Sequence, residues 1–481
     1  IPYRQPYMRF AHTDVVSADE LESIHEASLE ILERIGMEFM DAEARSIVRA
    51  AGAEVDESTH RVRFPRELIE RSIATVPNEF TLHSWNPARN VRIGGRWMAF
   101  STVASTPHYM DRNGVRKAGD REGFRDLLKL AQMLDIIHYV GGYPVEPIDL
   151  HASVRHLEAS YDILTLADKG LHCYSLGRQR NRDVLEMVKI ARGIDTATLD
   201  REPSVITIVN TNSPLRLDIP MAQGMIEFAL HGQPVVVTPF TLAGAMAPIT
   251  LAGALAQQNA EALAGISLLQ MVNPGAPAMY GGFTSNVDMQ SGAPAFGTTE
   301  FTRAAMAGGQ LARRYGFPYR SSNTNAANSL DMQAAWESVF SLMGAVMGGV
   351  NFMLHSAGVP FSTPLGTNSS AGRPRRAATS SGRWSDLRPL MVARATLMAL
   401  AEPSDLQSTS WMPASSRMIR AAPPAITPVP GAAGFIITRP AELMPMIGWV
   451  MVLPASATSN RFFLASSVPF WMASGTSLAL P

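Results

Sequence analysis

Reactive and charged groups are scarce in this 481-residue chain. It has one cysteine, Cys173, and a formal net charge of −1. One thiol excludes an intrachain disulfide and any cysteine-cluster metal site. Set in the apolar run LHCYSL, Cys173 reads as a small buried filler. Near-zero net charge gives no electrostatic reason to expect nucleic acid as a partner. No apolar run reaches the ~20 residues of a membrane span. The opening IPYRQPYMRF lacks the apolar stretch of a signal peptide. The expectation is a cytoplasmic protein without membrane contact. No G-x-G-x-x-G opens a helix after a strand, and no G-x-x-x-x-G-K-[ST] occurs, which argues against a dinucleotide fold and a P-loop. A G-x-S-x-G elbow, a His pair one helical turn apart and a His/Asp/Glu set at metal-ligand spacing are also missing. No metal ligand is assigned.

What is present falls into three parts. Residues 1–115 read as an N-terminal α+β cap. Ser17 and Glu20 fit a capping box, in which each side chain satisfies the other's free amide. The helix they open runs to about Ile35 on an apolar face of Leu21, Ile24, Ala27, Ile31, Leu32 and Ile35, with Gly36 suited to a left-handed stop. Two shorter helical patterns follow at Asp41–Ala51 and Pro65–Ala74. FTLHSW and VRIGG, joined by NPARN, read as a hairpin, and MAFSTVASTPHYMD adds a further strand.

Residues 116–358 change rhythm. Apolar runs begin at 136, 170, 205, 234, 277, 317 and 350, and helical patterns such as Gly123–Leu134, Val154–Ala167, Val184–Arg192, Met221–Leu230 and Ala260–Val272 fill the intervals. Runs that do not alternate fit strands buried on both faces, and repeated strand–helix units fit a parallel sheet. Seven such units, with room for an eighth, favour an α/β fold of the (β/α)8 barrel type over an open sheet.

Residues 359–481 break the pattern. They hold 15 of the 33 prolines, ten arginines and four acidic residues, with no Lys, His or Tyr. An excess of Ala, Ser, Pro and Arg is what a GC-rich gene yields out of frame. A shifted reading frame is the expectation, with a loosely folded tail as the other reading. Sequencing the coding DNA decides between them.

In a barrel of this kind, chemistry sits at the C-terminal ends of the strands. Those ends carry Tyr143, Tyr174, Asn210, Asn212, Phe240, Tyr280, Phe283, Tyr319, Asn323, Asn325, Asn328 and His355. Aromatics and neutral amides dominate, and carboxylates are few. Aromatic faces hold quaternary ammonium groups at ~0.5–2 kcal/mol per contact. Tyr143, Phe240, Tyr280, Phe283, Tyr319 and His355 are therefore the candidate substrate-binding residues. Each also has a plain reading as core, and Asp331 reads equally as the cap of the helix that follows it.

LESIHEASLEILERIGMEF, GGFTSNVDMQSGAPAFGTTE, SSNTNAANSLDMQAAWES and GGVNFMLHSAG together resemble the trimethylamine methyltransferase (MttB) family over about residues 10–358. The resemblance implies a TIM barrel. It also implies transfer of a methyl group from a methylated amine to a corrinoid carried by a separate protein, with no tightly bound cofactor and a homo-oligomeric assembly. The archaeal trimethylamine enzymes carry pyrrolysine before the motif D-x-Q-A-x-[YW]-E. Here that motif is Asp331, Gln333, Ala334, Trp336 and Glu337, and the preceding loop holds ordinary residues. Asn325–Asn328 occupies the pyrrolysine region. By this resemblance Asn325, Asn328, Asp331 and Gln333 are the candidate catalytic residues. A chain without pyrrolysine resembles a quaternary amine methyltransferase, because a quaternary ammonium already has a neutral amine as leaving group. Glycine betaine is the model substrate, with a tertiary methylated amine as the other donor. The alternatives are an impaired protein that binds methylated amines without turnover, and a barrel lyase acting on small polar substrates.

Overall fold

The computed structural model describes residues 3–111, 115–327 and 331–357. Residues 358–481, with the question of their reading frame, and Asn328 lie outside the described residues. Eight parallel strands close into a barrel in chain order. They are β1 (Ala99–Thr102), β2 (Tyr139–Val140), β3 (Gly170–His172), β4 (Val205–Val209), β5 (Val235–Val237), β6 (Ala278–Gly281), β7 (Tyr319–Ser322) and β8 (Phe352–Ala357). Seven helices alternate with them: α1 (Arg121–Met133), α2 (Arg155–Leu166), α3 (Arg178–Arg192), α4 (Ile219–Leu230), α5 (Leu251–Val272), α6 (Thr299–Tyr315) and α7 (Met332–Met347).

The barrel thus agrees with the strand–helix rhythm, but the boundary at 115/116 does not. The eighth strand is the first in the chain: Ala99–Thr102 pairs with β8 (Phe352 opposite Ala99) and with β2 (Ser101 opposite Tyr139). AFST is too short and too polar to announce a buried strand, and no helix separates it from the hairpin before it, so it groups by pattern with that hairpin.

Alternation within each strand sorts residues into two layers. Ala99, Tyr139, Ile206, Val236, Met279, Phe352 and Leu354 pack inside the barrel against Leu82, Val91 and Ile93. The last three belong to the antiparallel hairpin of Glu79–Leu82 and Val91–Gly94. Its inner partners stand mostly at the N-terminal ends of their strands, so the hairpin closes that end of the barrel. Their sequence neighbours Phe100, Val140, Leu171, Val205, Val235, Val237 and Met353 face outward and join the helix layer.

The N-terminal helices wrap α5. The capping box at Ser17 and Glu20 is formed, and the first helix runs Ala18–Glu30 before a π turn over Ile31–Ile35 ends at Gly36 with φ 75°. Ser28 donates to the carbonyl of Ala256 (3.0 Å) and accepts from Asn259 Nδ2 (2.9 Å). Covered on every side, α5 buries each residue from Ala254 to Gln270, including Gln257, Gln258, Asn259 and Glu261. A helix that is buried all round shows no polar face. Its first nine residues therefore escaped a reading that began it at Ala260.

Candidate active site

Register decides which strand-end residues can meet a ligand. On β6 and β7, Tyr280 pairs with Tyr319 and Gly281 with Arg320. Arg320 in turn pairs with Phe352, an interior residue. Arg320 and Gly281 therefore face into the barrel, and the two tyrosines face out. Tyr280 is fully buried, with its hydroxyl accepting from Gln258 of α5 (3.1 Å). Tyr319 is 1% exposed and donates to the carbonyl of Ala305 in α6 (2.6 Å). Both are pillars between sheet and helices, and the expectation that they line the mouth is corrected. Desolvation raises both phenols, Tyr319 to about 12. Tyr143 is buried as well: its ring packs edge-on against Phe124 of α1 and against Tyr174. It too belongs to the helix layer rather than to an open cage.

Phe240, Phe283 and His355 do come together. Phe283 follows β6 and lies 5.0 Å from Phe240, which follows β5, and 6.3 Å from His355 on β8 (ring centroids). Phe296 stacks on Phe283 at 5.4 Å, and Phe301, at the start of α6, meets both rings edge-on. Phe296 belongs to the loop NVDMQSGAPAFG. That loop is held by a bridge between Val287 and Pro294, and by Asp288, which accepts from the amides of Gln290 and Ser291. Phe240 is the partly exposed ring of the set.

The residue that sequence reasoning missed is Arg320. It is the single Lys, Arg, Asp or Glu in the eight barrel strands. It is 2% exposed, and its Nε and Nη1 have no hydrogen-bond partner among the described residues. Its guanidinium lies 5.3 Å from the centre of the Phe283 ring. Burial pulls it down to about 9, still above neutrality, so it keeps its charge. The available signal was the phase of FPYRSSN: if Tyr319 faces out, Arg320 must face in.

Two histidines share this interior. His172 Nδ1 lies 3.0 Å from the Gly141 carbonyl, and its Nε2 accepts from the Ile208 amide (3.1 Å). Desolvation holds it down to about 3. His355 sits at φ 63°, partly buried, with an Nδ1 that has no partner among the described residues. Burial first, then Arg320 and His172, hold it well below the usual histidine range. Neither is charged at neutral pH.

The loop after β7 carries the remaining candidates. Asn325 is buried and donates to Ser338 Oγ (3.0 Å) in α7. Asp331 caps α7 by accepting from the Ala334 amide (3.0 Å). Gln333 is exposed and donates to Glu337 Oε1 (2.7 Å), while Glu337 Oε2 accepts from the amides of Ala326 (2.7 Å) and Ala327 (3.1 Å). Asp331 and Gln333 thus act within α7, as its cap and as the partner of Glu337, and it is Glu337 that ties the loop to the helix. Gly297 makes room for Glu337: a Cβ there would stand 2.4 Å from the Glu337 Cβ. Among the described residues, the one His/Asp/Glu cluster close enough to hold a metal is Glu22, His25 and Glu26 on the first helix, where His25 Nδ1 already bonds the Tyr315 hydroxyl. No helix there is long and apolar enough to cross a membrane.

The model of the trimethylamine methyltransferase (MTTB) family matches residues 2–362. A glycine betaine methyltransferase from Desulfitobacterium hafniense is 36% identical over 347 residues, 72% of each chain. A trimethylamine methyltransferase from Methanosarcina mazei is 29% identical over 352 residues, 72% of this chain and 71% of that one. The monomethylamine methyltransferase of Methanosarcina barkeri overlays with a TM-score of 0.45 at 13% identity, covering 71% of this chain and 72% of that one. On the match over residues 2–362, the chain belongs to the trimethylamine methyltransferase family.

Proposed function

We propose that this methyltransferase takes a methyl group from a quaternary methylated amine of the glycine betaine type and passes it to the corrinoid of a separate protein. The observation that carries the reading is the character of the mouth. Four phenylalanines gather beside the strand ends, and the nearby histidines resist protonation. Histidines that hold protons so poorly are weak general bases. The site is suited to a reaction that moves no proton. Displacement at a quaternary methyl group is such a reaction: the C–N pair stays with nitrogen and a neutral tertiary amine departs.

The corrinoid, brought by the partner protein, supplies the nucleophile that accepts the methyl carbon. The protein's own part is positioning and exclusion of water. The hairpin closes one end of the barrel, so amine and acceptor meet at the other, where Phe240 is partly exposed. Ordinary residues at 325–327, in the region where archaeal relatives carry pyrrolysine, fit a substrate that needs no activation. The test is demethylation of glycine betaine in the presence of reduced cobalamin, followed by methylcobalamin absorbance and dimethylglycine release. Formation of both supports the proposal. Tight binding without turnover would instead favour a protein that only binds methylated amines, and absence of both would end the reading.

A further inference from the structure

We propose that Arg320 is a carboxylate anchor, and that the substrate is a zwitterion: its anionic end sits on this guanidinium and its methylated ammonium lies against the phenylalanines. The inference rests on the function proposed above and specifies the substrate class. A charge buried without a counter-ion is expensive, and such groups are retained where a ligand completes them. Arg320 meets that description, with two of its nitrogens unpartnered and no ion pair among the described residues. Its surroundings offer more of the same kind. Ser322, two residues on along the same interior face, and Thr238, beyond the end of β5, are fully buried, and both hydroxyls lack a partner among the described residues. A guanidinium fork with hydroxyls beside it is a donor set for a carboxylate.

Distance ties this anchor to the aromatic cluster. The guanidinium stands 5.3 Å from the Phe283 ring, and Phe240 and Phe296 lie 5.0 and 5.4 Å beyond it. In a betaine the nitrogen is one carbon away from the carboxyl group, so a carboxylate on Arg320 brings the ammonium over these rings. The charge balance discriminates. A quaternary cation with no carboxylate meets an uncompensated Arg320 and is repelled, whereas a zwitterion supplies the missing counter-ion and keeps the site neutral. Position along the strands also sets the direction of binding. Arg320 arises within β7, while Phe240 and Phe283 arise beyond the strand ends. The carboxylate therefore points inward, and the methyl groups point to the mouth.

The experiment compares glycine betaine with choline, which lacks the carboxylate, on the full chain as wild type, Arg320→Met and Arg320→Lys. Binding is read by calorimetry and turnover with reduced cobalamin. The wild type is expected to bind betaine at least about 100-fold more tightly than choline. Arg320→Met should lose about 100-fold or more on betaine while binding choline more tightly than the wild type does, and Arg320→Lys should recover part of the loss on betaine. Without ligand, Arg320→Met should melt at or above the wild-type temperature, since it removes an uncompensated buried charge. Equal binding of choline and betaine by the wild type, or an Arg320→Met protein that melts lower and binds both ligands as before, would overturn the anchor while leaving methyl transfer intact. Betaine bound through Arg320 but never demethylated would leave the anchor standing and remove the proposed function.

Discussion

Single side chains in this barrel divide by the direction their strand position imposes. Tyr319 and Arg320 are neighbours with opposite roles, one a pillar under α6 and the other an interior charge. Replacing Tyr319 with Phe removes the donor to the Ala305 carbonyl and should cost about 1 kcal/mol of stability, the net worth of one buried hydrogen bond. Substrate KM should stay unchanged. Urea titration and steady-state kinetics check the two halves, and a raised KM without a stability loss would return Tyr319 to the site. The buried histidines make a second residue-scale prediction. Burial holds His138 at about 4 and His172 at about 3, against 6.5 for the free side chain. The unfolded chain therefore takes up protons below pH 6.5 that the folded chain refuses. Stability is fully present above that pH and declines as it falls, by roughly 1 kcal/mol per pH unit for each histidine. Denaturation midpoints between pH 7 and pH 5 measure this, in a window above the range where carboxylates titrate. A flat profile would mean that neither ring is buried in its neutral form.

At the scale of elements, the D-x-Q-A-x-W-E stretch works as a clamp. Asp331 starts α7, and Glu337 reaches back to hold the amides of Ala326 and Ala327. The two acids have separable effects. Asp331→Ala should cost about 1 kcal/mol of stability as a lost helix cap with little change in kcat. Glu337→Ala should lower kcat by about tenfold, because a 1 Å misplacement near the chemistry is that expensive or more. Parallel melting curves and single-turnover rates distinguish them, and equal kcat in both variants would count against the clamp. The motif was readable from sequence as a feature shared with the family. Its mode of action was not, because the hydrogen bonds run between the loop and the helix that follows it.

For the whole molecule, the hairpin closes one end of the barrel, and Phe240, Phe283 and His355 gather at the other ends of their strands. The hairpin of Glu79–Leu82 and Val91–Gly94 fills the N-terminal end with Leu82, Val91 and Ile93. Ile93→Ala should cost about 2–5 kcal/mol, as large-to-small changes in a closed core do. It should leave betaine KM unaltered, since the hairpin packs at the opposite end from the mouth. A stability loss accompanied by a changed KM would mean that the two ends communicate. The composition break after residue 358 adds a separate point: the family match stops at residue 362, close to where the pattern changes. We propose that the reading frame shifts there, which coding-DNA sequence would test.

Chain periodicity by itself determined the barrel, because strands buried on both faces must be continuously apolar and parallel strands must be separated by helices. The quoted motifs carried the resemblance to the family, and Ser17 with Glu20 carried the capping box. Three matters were decided only in three dimensions. The first was which strand closes the ring, since Ala99–Thr102 is defined by the partners on either side of it. The second was why α5 is apolar throughout, since the helices that cover it lie far away in the chain. The third was which of two adjacent residues enters the site. An apolar run on both faces hides its own phase, and a one-residue difference in facing exchanges a structural tyrosine for a buried interior arginine.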